Sequence, residues 1–147
     1  MTDQDTDILA RTIVGEARGE GQLGMSDVAC VVMNRAQVAE HYVEAHGRNH
    51  PLFGDGSPAS ACQAPWQFSC WNAGDPNRAV IEALNDTIPI FPEALAIAQS
   101  AISGQIDDRT QGATHYYDRR MPAPPAWAAG KTPCFTEGHH LFFNDIS

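Results

Sequence analysis

The stretch Val28-Ala29-Cys30-Val31-Val32-Met33 most constrains the fold, because it is apolar on every side. A helix with no polar face must be surrounded by protein, so the segment from Leu23 to about His46 is expected to be a central helix ended by Gly47. The segment before it is amphipathic. From Thr6 onward, Ile8, Leu9, Ile13 and Ala17 recur at helical spacing, and Thr6 or Asp7 is suited to cap its start. Gly19, Gly21 and Gly24 lie at the junction and allow a sharp αα-hairpin. On a helical wheel Glu16 falls between Leu9 and Ile13, and Glu20 falls almost on top of them; Arg11 and Arg18 point toward water. A carboxyl group on a buried face favours its protonated form, which is what a general acid requires. The competing expectation is that Glu16 and Glu20 are partly exposed and paired with arginines.

Beyond Gly47, glycines and prolines interrupt every periodicity between residues 47 and 77, so that region reads as one long loop. Its aromatics, Phe53, Trp66, Phe68 and Trp71, argue that it is ordered. A short helix is expected over Arg78–Asp86. A clearer one starts at Phe91-Pro92-Glu93, with Leu95, Ala98, Ala101 and Ile102 as its apolar stripe and Gly104 as its stop. Ala113–Tyr117 reads as a strand, and Pro133–Thr136 with His139–Phe143 as a hairpin turning at Glu137-Gly138. The expected class is α+β, mainly α, in one domain over residues 1–147.

A formal net charge of −9 with Lys131 as the sole lysine disfavours nucleic acid and anionic membranes as partners. No apolar run reaches the roughly 20 residues of a membrane span. The acidic N-terminus does not resemble a secretory signal, so synthesis in the cytoplasm is expected. Any polysaccharide would be held by hydrogen bonds and ring stacking. Cys62 and Cys70 lie in one loop, close enough to form a disulfide or else to stay as two free thiols, whereas Cys30 reads as a buried small hydrophobe.

Three constellations can carry chemistry. Glu16 and Glu20, at i and i+4, would lie roughly 6 Å apart if the helix continued, near the spacing of a retaining glycosidase pair; with Gly19 intervening, a supporting role for Glu20 is the simpler expectation. Gln67-Phe68-Ser69-Cys70-Trp71-Asn72 alternates rings with amides and a hydroxyl, which suits sugar binding, although Phe68 and Trp71 also suit pinning the loop to the body. Thr114-His115-Tyr116-Tyr117 is the third. No G-x-S-x-G elbow accompanies it, and His115, His139 and His140 have no metal-ligand spacing, so neither a serine triad nor a metal is expected.

Taken together, these motifs resemble the SleB-type cell wall hydrolases, the spore-cortex-lytic enzyme family. The resemblance runs in order through Leu9–Glu20, Val31–Arg35, Ala64–Asn72, Gly112–Tyr117, Pro125–Trp127 and Gly138–Phe143. It implies a lysozyme-like helical body with a small β-sheet flanking a glycan groove. It also implies cleavage of bacterial peptidoglycan between N-acetylmuramic acid and N-acetylglucosamine by a lytic transglycosylase using one glutamate and no cofactor. The first glutamate of the family's G-E-x-R-G-E motif corresponds to Glu16. The resemblance further implies that Gln67, Phe68, Ser69, Trp71, Thr114, His115, Tyr116 and Trp127 line the groove. The alternatives are a hydrolytic muramidase using Glu16 with Glu20, or a non-catalytic peptidoglycan-binding module of a phage particle. Lacking the signal sequence and wall-binding domain of spore enzymes, the chain looks like a bacteriophage lysin released to the wall by phage-mediated lysis.

Overall fold

A computed structural model describes residues 3–146. Helix α1 (Gln4–Ala17) starts where the side chain of Asp3 accepts a hydrogen bond from the Thr6 amide at 2.8 Å. The cap is therefore Asp3, three residues upstream of the predicted Thr6, and the spacing is that of an N-cap bonding the third helical amide. A short 3₁₀ turn (Arg18–Glu20) leads into α2 (Gly21–His46), which ends at Gly47 with φ 71°. Val28, Ala29, Val31 and Val32 are all fully enclosed, as an element apolar on every side requires.

The predicted loop over residues 47–77 is not structureless. It contains α3 (Pro58–Gln63), a 3₁₀ turn (Ser69–Trp71) and the start of α4 (Pro76–Glu82). Both short helices begin with proline after a capping residue, Ser57 or Asp75, a local signal that outweighs the lack of periodicity. Helix α5 (Ile90–Ile102) packs across α1 and α2, and Leu9, Ile13, Val28, Phe68, Ile81 and Phe91 fill the space between helices. Arg11 does not point to water. Its guanidinium donates to the carbonyls of Ile81 at 2.6 Å and Leu84 at 3.1 Å and lies over the Phe91 ring, closing the C-terminal end of α4. Arg18 is exposed, as expected.

All four cysteines are free thiols, so the Cys62–Cys70 bridge does not form. Burial pushes the Cys62 thiol up to about 12, making it an inert core group. Cys70 lies against Gly15 of α1. A Cβ at position 15 would sit 2.9 Å from Cys70 Cβ and 3.1 Å from a methyl of Ile81. Gly15 thus lets the Ser69–Trp71 turn approach the last turn of α1, one residue from Glu16. Gly15→Ala is expected to destabilise the protein by about 1–3 kcal/mol through overpacking, seen as a lower urea midpoint at unchanged slope.

Strands β1 (His115–Asp118), β2 (Phe135–Glu137) and β3 (His140–Phe143) form an antiparallel sheet in the order β1-β3-β2. Tyr116 pairs with Phe142 and Asp118 with His140. Strand alternation therefore sends Tyr116, Asp118, His140 and Phe142 to one face and His115, Tyr117 and Phe143 to the other. Phe142 packs with Val31 of α2, so the first face looks at the helices; Trp127 covers the second. Asp27 of α2, only 2% exposed, accepts a two-pronged bond from Arg109, which also reaches Glu137 of β2. That ion-pair cluster ties sheet to helix. Among the described residues, no helix is long and apolar enough to cross a membrane.

Candidate active site

Glu16 occupies the last turn of α1, where the helical wheel places it on the inward side. Its carboxyl is enclosed by protein except toward a cleft of about 300 Å³ between the helices and the sheet. Burial pushes its pKa up to about 7; Tyr116, by hydrogen bonding to it, and Arg35, by its charge, act in the opposite direction but do not win. Near neutral pH the group holds a proton in a substantial fraction of molecules.

Arg35, the end of the Val31–Arg35 motif, is a cleft residue to which the sequence assigned no role. It lies on α2 and is 5% exposed, its guanidinium between the rings of Phe53 and Phe68 at 5.0 and 4.9 Å. Nε donates to the carbonyl of Thr114 at 2.6 Å, and Nη1 to Gln67 Oε1 at 3.4 Å. Burial lowers its pKa to about 10, so it stays charged at pH 7. The signal was in the helix period: Arg35 follows Val28 by seven residues, on the buried face.

Trp66 was also missed. It is 84% exposed and holds a positive φ of 69°, which a bulky residue rarely adopts. Its indole borders the Glu16 cleft and the depressions on either side, one reaching Trp71 and Asn72, the other His115 and Ile146. Gln67, Ser69, Tyr116 and Trp127 line the same cleft as Glu16. Together these depressions, all bordered by Trp66, make a groove walled by rings and amides.

The remaining predicted residues are distributed more widely. Phe68 is 2% exposed and belongs to the core, so it does not line the groove; its ring lies against Arg35 instead. Trp71 donates from its indole to Thr12 Oγ1 at 2.9 Å and borders the neighbouring depression, pinning the loop while leaving part of its ring open. His115 borders the groove, whereas Thr114 lines none of its three depressions and faces a separate one beside Val38 and Phe53. Burial, aided by the charge of Arg35, lowers the His115 pKa to about 4, so it is neutral at pH 7.

Glu20 stands apart from Glu16. Helix α1 ends at Ala17, so the i, i+4 geometry with Glu16 does not exist. The Glu20 carboxyl instead meets Nδ1 of His139 at 2.9 Å, in the turn between β2 and β3. Burial opposes its ionisation, but the His139 contacts outweigh that and its pKa falls. The two glutamates are thus driven apart: one holds its proton near neutrality, the other loses it.

A mainly helical body, a three-stranded antiparallel sheet and a cleft between them define a lysozyme-like domain, with one proton-holding carboxyl at the cleft floor. The chain belongs to the cell wall hydrolase family, whose model matches residues 19–143. Among solved structures it is similar to the catalytic domain of the germination-specific lytic transglycosylase SleB from Bacillus anthracis. That likeness has a TM-score of 0.65 at 24% identity and covers 95% of this chain and 94% of the other. No curated protein matches the chain.

Proposed function

We propose that this chain acts as one domain that cleaves the glycan strand of peptidoglycan between N-acetylmuramic acid and N-acetylglucosamine as a lytic transglycosylase. The observation that carries the reading is Glu16, the sole acid lining its cleft among the described residues and a group whose pKa is about 7. A carboxyl poised there can give its proton to the glycosidic oxygen as the bond breaks. The substrate's N-acetyl carbonyl stabilises the developing oxocarbenium charge, so no second carboxylate is needed. Ionised Glu16 then takes the proton of the muramyl C6 hydroxyl, and that oxygen closes on C1 to give a 1,6-anhydro end.

The engagement of Glu20 by His139 supports this reading over a two-carboxylate muramidase. So does the likeness to a solved lytic transglycosylase domain. Trp66, Trp127 and Gln67 supply the stacking and hydrogen bonding that an uncharged glycan requires and that a surface of net charge −9 cannot replace with electrostatic attraction. Mass spectrometry of digested peptidoglycan is the test. Muropeptides one water lighter than the hydrolytic products are expected; reducing N-acetylmuramic acid ends alone would replace this mechanism with hydrolysis.

A further inference from the structure

The face of the sheet that meets the helices carries a second cluster, which includes Glu20 of the turn after α1. A ring nitrogen of His140 and one oxygen each from Glu20 and Asp118 lie within 4.8 Å of one another. His140 and Asp118 are paired across β3 and β1, so their side chains leave the same face; Glu20 meets them from the 3₁₀ turn after α1. His140 is 4% exposed, and its Nδ1 is buried with no hydrogen-bond partner. A buried ring nitrogen without a partner, on an imidazole that meets two carboxylates, is costly unless something satisfies it.

We propose that Glu20, Asp118 and His140 bind a borderline divalent cation of the Zn²⁺ type, which staples the end of α1 to the sheet beside the Glu16 cleft. Tetrahedral bonds of about 2.0–2.2 Å to a common ion place donors roughly 3.3–3.6 Å apart, so atoms now within 4.8 Å of one another close by about 1.5 Å at most, a side-chain adjustment, to complete the site. One imidazole with two carboxylates selects Zn²⁺ or Co²⁺ over the all-oxygen preference of Ca²⁺ and Mg²⁺. His139, bonded to the Glu20 carboxylate, orients that ligand.

Arg120 is the competing cation. Its Nε and Nη2 grip both oxygens of Asp118, the shortest contact being 2.6 Å, and Nη2 lies 3.8 Å from Glu20; the side chain is 62% exposed, so solvent can take over these bonds when it is displaced. Metal uptake exchanges this guanidinium for the ion.

The experiment uses the full chain after dialysis against a chelator and reads binding, not glycan cleavage, so its outcome is independent of the proposed reaction. Zn²⁺ is expected to raise Tm by about 5 °C or more at saturation, with Mg²⁺ leaving it unchanged. Co²⁺ is expected to give visible d–d absorption. Asp118→Asn, at the more open ligand, is expected to weaken Zn²⁺ binding at least ~10-fold, and His140→Gln to abolish the Co²⁺ spectrum. Arg120→Ala is expected to bind at least as tightly as the native chain. No Zn²⁺ shift in the native chain, equal affinity in Asp118→Asn, or lost binding in Arg120→Ala overturns the proposal.

Discussion

Glu16→Gln is expected to lower the rate of wall clearing by about 10²- to 10⁴-fold while leaving the protein folded and, at pH 8, more stable than the native chain. The substitution keeps the shape of the side chain and removes its acidic proton. The stability sign follows from the raised pKa. With a folded value of about 7 against an ordinary 4.5, the native state holds the proton more tightly than the unfolded chain does. The resulting stabilisation is fully present below 4.5 and is lost as the pH rises through about 7. Glutamine cannot ionise, so it escapes that loss. The difference amounts to at most about 3 kcal/mol at full ionisation; contact of the carboxyl with water in the cleft reduces the expected gain to about 1–2 kcal/mol. Urea titrations at pH 4 and pH 8 check this, the gain appearing only at pH 8. Native activity should decline as the pH rises through about 7. If Glu16→Gln clears walls within tenfold of the native rate, Glu16 is not the acid.

Arg35→Met is expected to cost about 3–5 kcal/mol, because it leaves the Thr114 carbonyl without its charged donor and removes a guanidinium enclosed by two rings. It also has a readout that packing loss alone does not produce. The positive charge of Arg35 holds the Glu16 pKa down, so its removal moves the alkaline limb of activity to higher pH. Arg35→Lys retains the charge but loses the planar fork, and should keep the limb while losing part of the stability. An unshifted pH profile in Arg35→Met means that Arg35 holds the loop and the strand together without tuning Glu16.

Local sequence was a good guide to helices and a poor one to partners. The apolar run in α2 and the stripe in α1 fixed two buried helices and turned Glu16 inward, since 3.6-residue periodicity converts spacing directly into a face. Where that periodicity failed, prediction failed with it. Gly19 marked the end of α1, yet nothing nearby in sequence pointed to His139, the residue that accounts for the position of Glu20. Phe68 and Trp66 are two residues apart with similar chemistry, but one is sealed in the core and the other stands in the groove. A loop without a repeat carries no face to read.

The chain's own pattern of apolar and acidic residues was enough to determine a mainly helical body with a carboxyl on its inner side, because burial of a helix face is a local consequence of spacing. The tertiary structure alone decided that Tyr116 bonds to that carboxyl and the charge of Arg35 acts on it, that Glu20 turns away to the hairpin, and that Asp118 and His140 converge on Glu20. Those contacts join residues about 20 to 120 positions apart, and only chain packing selects among so many distant pairs.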